Sequence, residues 1–206
     1  MTTTPAAPAA TPQGFGPTTT ERLPMPAPAT WSAEQQRAAQ ALIDGPRGGV
    51  FGPFVPLLQA PALMERVGAL GEQLRFGGSL PDRLRELLIC ATARHTGNQF
   101  EWTLHAPLAR RAGVSASALE QLRHGARPEG LADDEQDALD LAQEQLRQHG
   151  ACEATYQRAL ARFGAPGVVE IATLVGYFVM VCGVMNLART PAAAGNTEPA
   201  LTGWPG

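Results

Sequence analysis

From Val168 to Ala188 the chain reads VVEIATLVGYFVMVCGVMNLA, enough for a long helix that is apolar on every side. Such a helix has to be hidden in a bilayer, in the centre of its own fold or against another subunit, and the other elements must provide the cover. Its length suits a membrane span, yet it carries Glu170, Gly176, Gly183 and Asn186. The centre of a helical bundle, or a subunit interface, accommodates those residues better than lipid does.

Helical faces able to cover it follow one another along the chain, and no convincing β-alternation interrupts them. Ser32 and Gln35 have the spacing of a capping box that opens a helix over 33–43. Glycines and prolines from Gly45 to Pro53 mark a loop. Pro61 suits the first turn of the next helix, where Leu63, Val67, Leu70 and Leu74 repeat at helical spacing. Pro81 opens another, with Leu84, Leu87, Leu88 and Ala91 on one face and Gly97 as its stop. A helix then runs from near Asn98 to about Ala112, and Ser115 caps 116–124. Asp133 and Asp134 place negative charge at the favourable end of a helix over 133–148. A stripe of Tyr156, Ala159, Leu160 and Phe163 ends at Gly164-Ala165-Pro166, before the long apolar helix. The fold class expected is therefore all-α. Residues 1–30, rich in Pro, Ala and Thr, read as a flexible arm; 31–190 form the helical domain, and 191–206 a C-terminal tail.

With 206 residues the chain can bury one full core, and a net charge of -3 gives it no pull toward nucleic acid. Three scattered cysteines, Cys90, Cys152 and Cys182, with no C-x-x-C, fit a reducing compartment rather than a disulfide framework. The first residues lack the basic and apolar blocks of an export signal. A cytoplasmic protein with neither nucleic-acid nor membrane partners is the expectation.

The stretch richest in chemistry is RLRELLICATARHTGNQFEWTLHAPLARRAGVS, residues 83–115. Glu101 and His105 are one helical turn apart and share a face, with Asn98 joining it three residues earlier. Glu86 lies on the preceding helix, where an antiparallel hairpin can bring it to the same place. An imidazole beside a carboxylate is a proton-transfer unit, because the carboxylate fixes the tautomer and steadies the cation. The bland alternative is an ordinary surface pair. Pro107 falls inside the helix, where it removes a donor and should kink or end it just after His105. His95, His124 and His149 are scattered, and no second His stands at ligand spacing, so no metal site is expected.

The stretch resembles the core of the carboxymuconolactone decarboxylase family, which shares its fold with alkylhydroperoxidase D. GPRGGVFGPFVPLLQAPAL before it and RFGAPGVVEIATLVGYFVMVCGVMNLA after it extend the similarity over about residues 22–190. The closest likeness is to a branch with E-W-x-x-H, here Glu101 to His105. The peroxidase branch has C-x-x-C-x-x-x-H preceded by a glutamate. Aligning its histidine on His105 puts its glutamate on Glu86 and its two cysteines on Asn98 and Glu101. The acid–base residues match and both thiols are missing, so a thiol-based peroxide cycle has no nucleophile at those positions.

What the resemblance implies is an alkylhydroperoxidase D-like helical bundle, oligomeric as a homotrimer or hexamer. Its activity would be cofactor-free acid–base chemistry on a small carboxylated or lactone substrate, by decarboxylation or a related proton transfer (a lyase). In this reading His105 is the general acid/base, Glu101 orients it and Glu86 is a second proton carrier. Trp102 would wall or cover the pocket, and Asn98 would hold a substrate carbonyl or carboxylate. Arg83, Arg85 and Arg94 are the nearest candidates to clamp a carboxylate. Burial and carboxylate contact pull the pKa of His105 in opposite directions, so its shift stays open, and His105→Ala should leave thermal stability nearly unchanged. A peroxidase or peroxiredoxin-like activity and a non-catalytic oligomeric binding protein are the alternatives.

Overall fold

The computed structural model describes residues 20–192 and 195–202; the first part of the expected arm and the end of the expected tail lie outside these. Among the described residues the regular structure is helical throughout: α1 (Ala33–Asp44), α2 (Phe54–Leu57), α3 (Pro61–Phe76), α4 (Asp82–Thr96), α5 (Gln99–Arg111), α6 (Ala116–Arg123), α7 (Asp133–Gln148) and α8 (Glu153–Ala188), preceded by one 3-10 turn at Pro28–Thr30.

Local signals in the sequence set most of these boundaries. Ser32 accepts from Gln35 N–H while the Gln35 side chain accepts from Ser32 N–H, closing the capping box of α1. Ser115 caps α6 through Ala118 N–H. Gly97, at φ 65°, stops α4 in the left-handed region that glycine enters at little cost. Asn98 then caps α5 at once, so the two helices are joined by two residues and must fold back on each other. Pro107 does not end α5; the helix continues to Arg111.

The centre of the fold is α4, ten of whose fifteen residues are buried. It packs against α5 on one side and against α7 and α8 on others. The expected hairpin of α4 and α5 is present, but it meets α8 mainly through α4. A large share of the cover on α8 comes from α7, whose apolar face (Ala138, Leu141, Ala142 and Leu146) joins the same core. The α8 backbone leaves helical geometry at Gly164 (φ 66°, ψ 174°), where the sequence placed a break. By length and composition α8 could cross a membrane, and 44% of its most apolar window is buried inside the fold. Ile171, Leu174, Val175, Phe178, Val181, Cys182 and Met185 face inward, while Val169, Met180 and Leu187 stay exposed.

Two segments near the limits of the described residues pack back onto the bundle. Arg22 N–H donates to Ala188 O at the end of α8, although none of residues 20–30 is buried. The expected tail contributes a strap that the sequence reading left outside the domain. Leu201 is buried, its backbone exchanges two hydrogen bonds with the Gln99 side chain, and Arg94, Arg110 and Arg123 hold Thr202 O, Glu198 and Ala200 O. Small residues and prolines made this segment look featureless; it is ordered by arginines that lie elsewhere in the sequence.

Candidate active site

The hairpin of α4 and α5 brings Glu86, Glu101 and His105 together. His105 is 1% exposed, Glu101 3% and Glu86 6%. His105 Nδ1 lies 2.6 Å from Glu86 Oε2, and Nε2 lies 3.1 Å from Glu101 Oε2. Both ring nitrogens therefore face a carboxylate, an arrangement that the imidazolium satisfies with two N–H donors. Phe178 of α8 packs edge-on to the ring, with centroids 5.4 Å apart. Burial opposes the charge on His105, but the hydrogen bonds to Glu101 and Glu86, with the negative charge of both, outweigh it and raise its pKa above 6.5.

The two carboxylates are not equivalent. Glu101 and His105 line a narrow cavity of about 20 Å³, whereas Glu86 stands behind the ring and outside that lining. With its side chains as they stand the cavity has room for about one water, so a substrate enters only where they move apart. Glu86 is also within 4.0 Å of Arg85 Nε, which gives it a cationic neighbour. Because the carboxylates occupy opposite edges of the imidazole, the three groups do not converge on a common point. Among the described residues no group of three His, Cys, Asp or Glu side chains is placed to hold a metal ion.

Asn98 and Trp102 are not on the cavity wall. The Asn98 carboxamide is fully engaged: Oδ1 accepts from Glu101 N–H at 2.8 Å, and Nδ2 donates to Asn186 Oδ1 at 2.9 Å. Its role is to cap α5 and tie it to α8, which fixes Glu101 at the first turn. Trp102 is 1% exposed, packs in the core around Leu87, Leu119 and Leu139, and donates from Nε1 to Pro199 O at 2.8 Å. It anchors the C-terminal strap and is not a lid. The three candidate arginines are also elsewhere: Arg83 pairs with Asp134 and Glu135, Arg85 with Asp82, and Arg94 with Thr202 O.

Opposite Glu101 and His105 the cavity is lined by residues that sequence reasoning passed over: Arg47, Arg75 and Tyr177, with Phe54, Phe100 and Phe178 between. Arg47 comes from the glycine-rich loop before α2 and stacks over Phe54, its guanidinium carbon 4.6 Å from the ring centre. Two close approaches seat this loop. Gly52, at φ 57°, lies where a Cβ would stand 2.5 Å from the Phe100 ring, and a Cβ on Gly71 would overlap the Tyr177 hydroxyl and Arg47. A lone arginine among the glycines of GPRGGVFGP was the one available signal.

The thiols are placed away from such chemistry. Cys90 and Cys182 are wholly buried, and burial, with Glu86 and Glu101 respectively adding to it, pushes both well above the usual thiol range. Cys152 is the exposed one, at the start of α8, where its N–H and thiol meet Glu144.

Comparison with known proteins gives a family match over part of the chain and a shared fold. Residues 61–144 match the model of the Carboxymuconolactone decarboxylase family. The fold is shared with an alkylhydroperoxidase D core protein, an uncharacterized peroxidase-related protein from Ralstonia eutropha (TM-score 0.69, 18% identity, 84% of this chain and 92% of that one). It is shared equally with an uncharacterized peroxidase-related protein from a Silicibacter species (TM-score 0.68, 18% identity, 93% and 97%). A debrominase solved with 2,3,4-tribromopyrrole is a more distant likeness (TM-score 0.61, 12% identity, 86% and 94%). Comparison with curated protein sequences gives no significant match. Over residues 61–144 the chain is similar to the Carboxymuconolactone decarboxylase family, and its fold is alkylhydroperoxidase D-like.

Proposed function

We propose that the protein is a cofactor-free acid–base enzyme that decarboxylates, or moves a proton on, a small carboxylated or lactone substrate. The observation that carries this reading is His105, held between two buried carboxylates with one edge at a cavity wall. An imidazole with a raised pKa is available as a proton donor near neutral pH, and burial strengthens its electrostatics. The geometry favours a division of labour different from the one expected. Glu101 and His105 meet the substrate and pass the proton between Oε2 and Nε2, while Glu86, behind the ring, is a positioning residue that steadies the imidazolium. In a decarboxylation the C–C bond breaks, CO2 leaves, and the electron pair spreads into the conjugated remainder. The proton held by this pair is then delivered to carbon.

The exposed apolar residues along the outer face of α8 support a second element of the proposal, that the protein works as a homo-oligomer. Turnover of lactone acids and unsaturated carboxylic acids by wild type, lost in His105→Gln, tests the enzyme reading; wild-type and His105→Gln proteins with equal rates would contradict it. For peroxide the expected result is the reverse. Consumption by wild type should equal that of a variant with Cys90, Cys152 and Cys182 all replaced by Ala, because positions 98 and 101 carry Asn and Glu. Sustained, cysteine-dependent turnover would transfer the chemistry to the thiols.

A further inference from the structure

Arg47 and Arg75 face the same cavity as Glu101 and His105 but share no ion pair with them. Arg47 Nε and Nη2 and Arg75 Nε are buried without a well-formed hydrogen bond among the described residues, with the Tyr177 hydroxyl close beside Arg47. Buried donors in this state cost free energy until something accepts from them, and here three of them border one cavity. Arg75 also feels Arg47 as a like charge, a conflict that an anion between them would relieve. Two arginines face two glutamates, Glu101 on the cavity wall and Glu86 behind the ring, so a protonated His105 leaves one positive charge in excess. The rest of the wall is aromatic: Phe54, Phe100 and Phe178 are each under 10% exposed, and the Tyr177 hydroxyl lies beside Arg47.

We infer that Arg47 and Arg75 form an anion clamp, and that the substrate carries a carboxylate on a flat, unsaturated body that lies among the three phenylalanines. This rests on the acid–base reading of His105 and adds the part of the substrate that is not consumed. A clamp on the carboxylate that leaves as CO2 would stabilise the ground state, because CO2 carries no charge for the arginines to hold. The clamped carboxylate is therefore one that survives the reaction, and the proton is delivered at the other end of the molecule, beside His105. Planar guanidinium forks suit a carboxylate better than lysines would.

Furan-2-carboxylate and furan-2-carboxamide have the same shape and differ in charge, which makes them suitable probes by titration calorimetry. Wild type should bind the carboxylate more tightly by about tenfold or more. That preference should disappear in Arg47→Gln and in Arg75→Gln, and should be partly kept in Arg47→Lys and Arg75→Lys, which retain charge without the fork. Equal or undetectable binding of the two probes by wild type, or a preference that survives both Gln substitutions, would overturn the clamp. The two readings fail separately. An arginine-dependent preference in a protein whose turnover ignores His105 leaves the clamp standing and removes the acid–base role; His105-dependent turnover with no arginine dependence does the opposite.

Discussion

Of the clusters of acids and bases on this bundle, one surrounds His105 and another lies on the outer surface between α7 and α8. The outer cluster joins Asp137 and Asp140 to Arg127, Arg158 and Arg162, at distances of 2.5–3.2 Å. By distance it matches the inner cluster, where His105 meets its carboxylates at 2.6 and 3.1 Å. Solvent separates them. The outer arginine side chains are 38–52% exposed, so water and salt screen each pair. The inner side chains are at most 8% exposed, so each charge depends on its neighbours and on nothing else. Burial rather than distance makes the protonation state of one member of such a cluster control the others.

Substitutions can break that contrast. His105→Ala should have the largest effect. Activity is lost, and stability falls by about 3–5 kcal/mol in denaturant unfolding, because two buried carboxylates lose their shared partner. This corrects the sequence-based expectation of unchanged stability, which took no account of how deeply the ring is buried. Glu86→Gln keeps the shape but not the charge. It should cost about 1–3 kcal/mol and move the pH–rate profile toward acid, since one of the two carboxylates that raise the His105 pKa is gone. Trp102→Phe removes the hydrogen bond to Pro199 O and leaves a small cavity where the larger indole packed; a loss of about 1–3 kcal/mol with KM unchanged is expected. A KM raised severalfold would return Trp102 to the pocket wall. Arg158→Ala, in the outer cluster, should change stability by less than about 1 kcal/mol and activity not at all.

The contrast also has a pH dependence with a definite sign. The folded pKa of His105 is raised, so its contribution to stability is full below the unfolded value of about 6.5 and is lost as pH rises through the folded value. The stability gap between wild type and His105→Gln should therefore be widest at the acid end of that window and narrow above it. Guanidinium unfolding across the window measures the gap directly.

The cluster of Glu86, Glu101 and His105 was legible in the sequence because it obeys helical periodicity. Glu101 and His105 are one turn apart, and the stop at Gly97 followed by the cap at Asn98 brings α4 back along α5 to deliver Glu86. The same reading misassigned Asn98, since a carboxamide before a helix serves equally well as a cap or as a ligand for substrate, and only its bonds to Glu101 N–H and Asn186 decide. Arg47 and Arg75 were not legible. Neither is in register with His105, and what brings them there is the close seating at Gly52 and Gly71, a tertiary fact without a local pattern. Most helix ends could be read from caps, prolines and glycines. The strap over residues 196–202 could not, because its partners, Arg94, Gln99, Trp102, Arg110 and Arg123, belong to distant helices.

The central claim, that two buried carboxylates hold His105 ready to donate a proton near neutral pH, is tested most directly by following the His105 imidazole nitrogens by NMR through a pH titration. Wild type should titrate above 6.5, with both nitrogens protonated at the acid end, and Glu86→Gln and Glu101→Gln should each bring the midpoint down. A wild-type midpoint at or below 6.5, or one that neither substitution moves, would contradict the account.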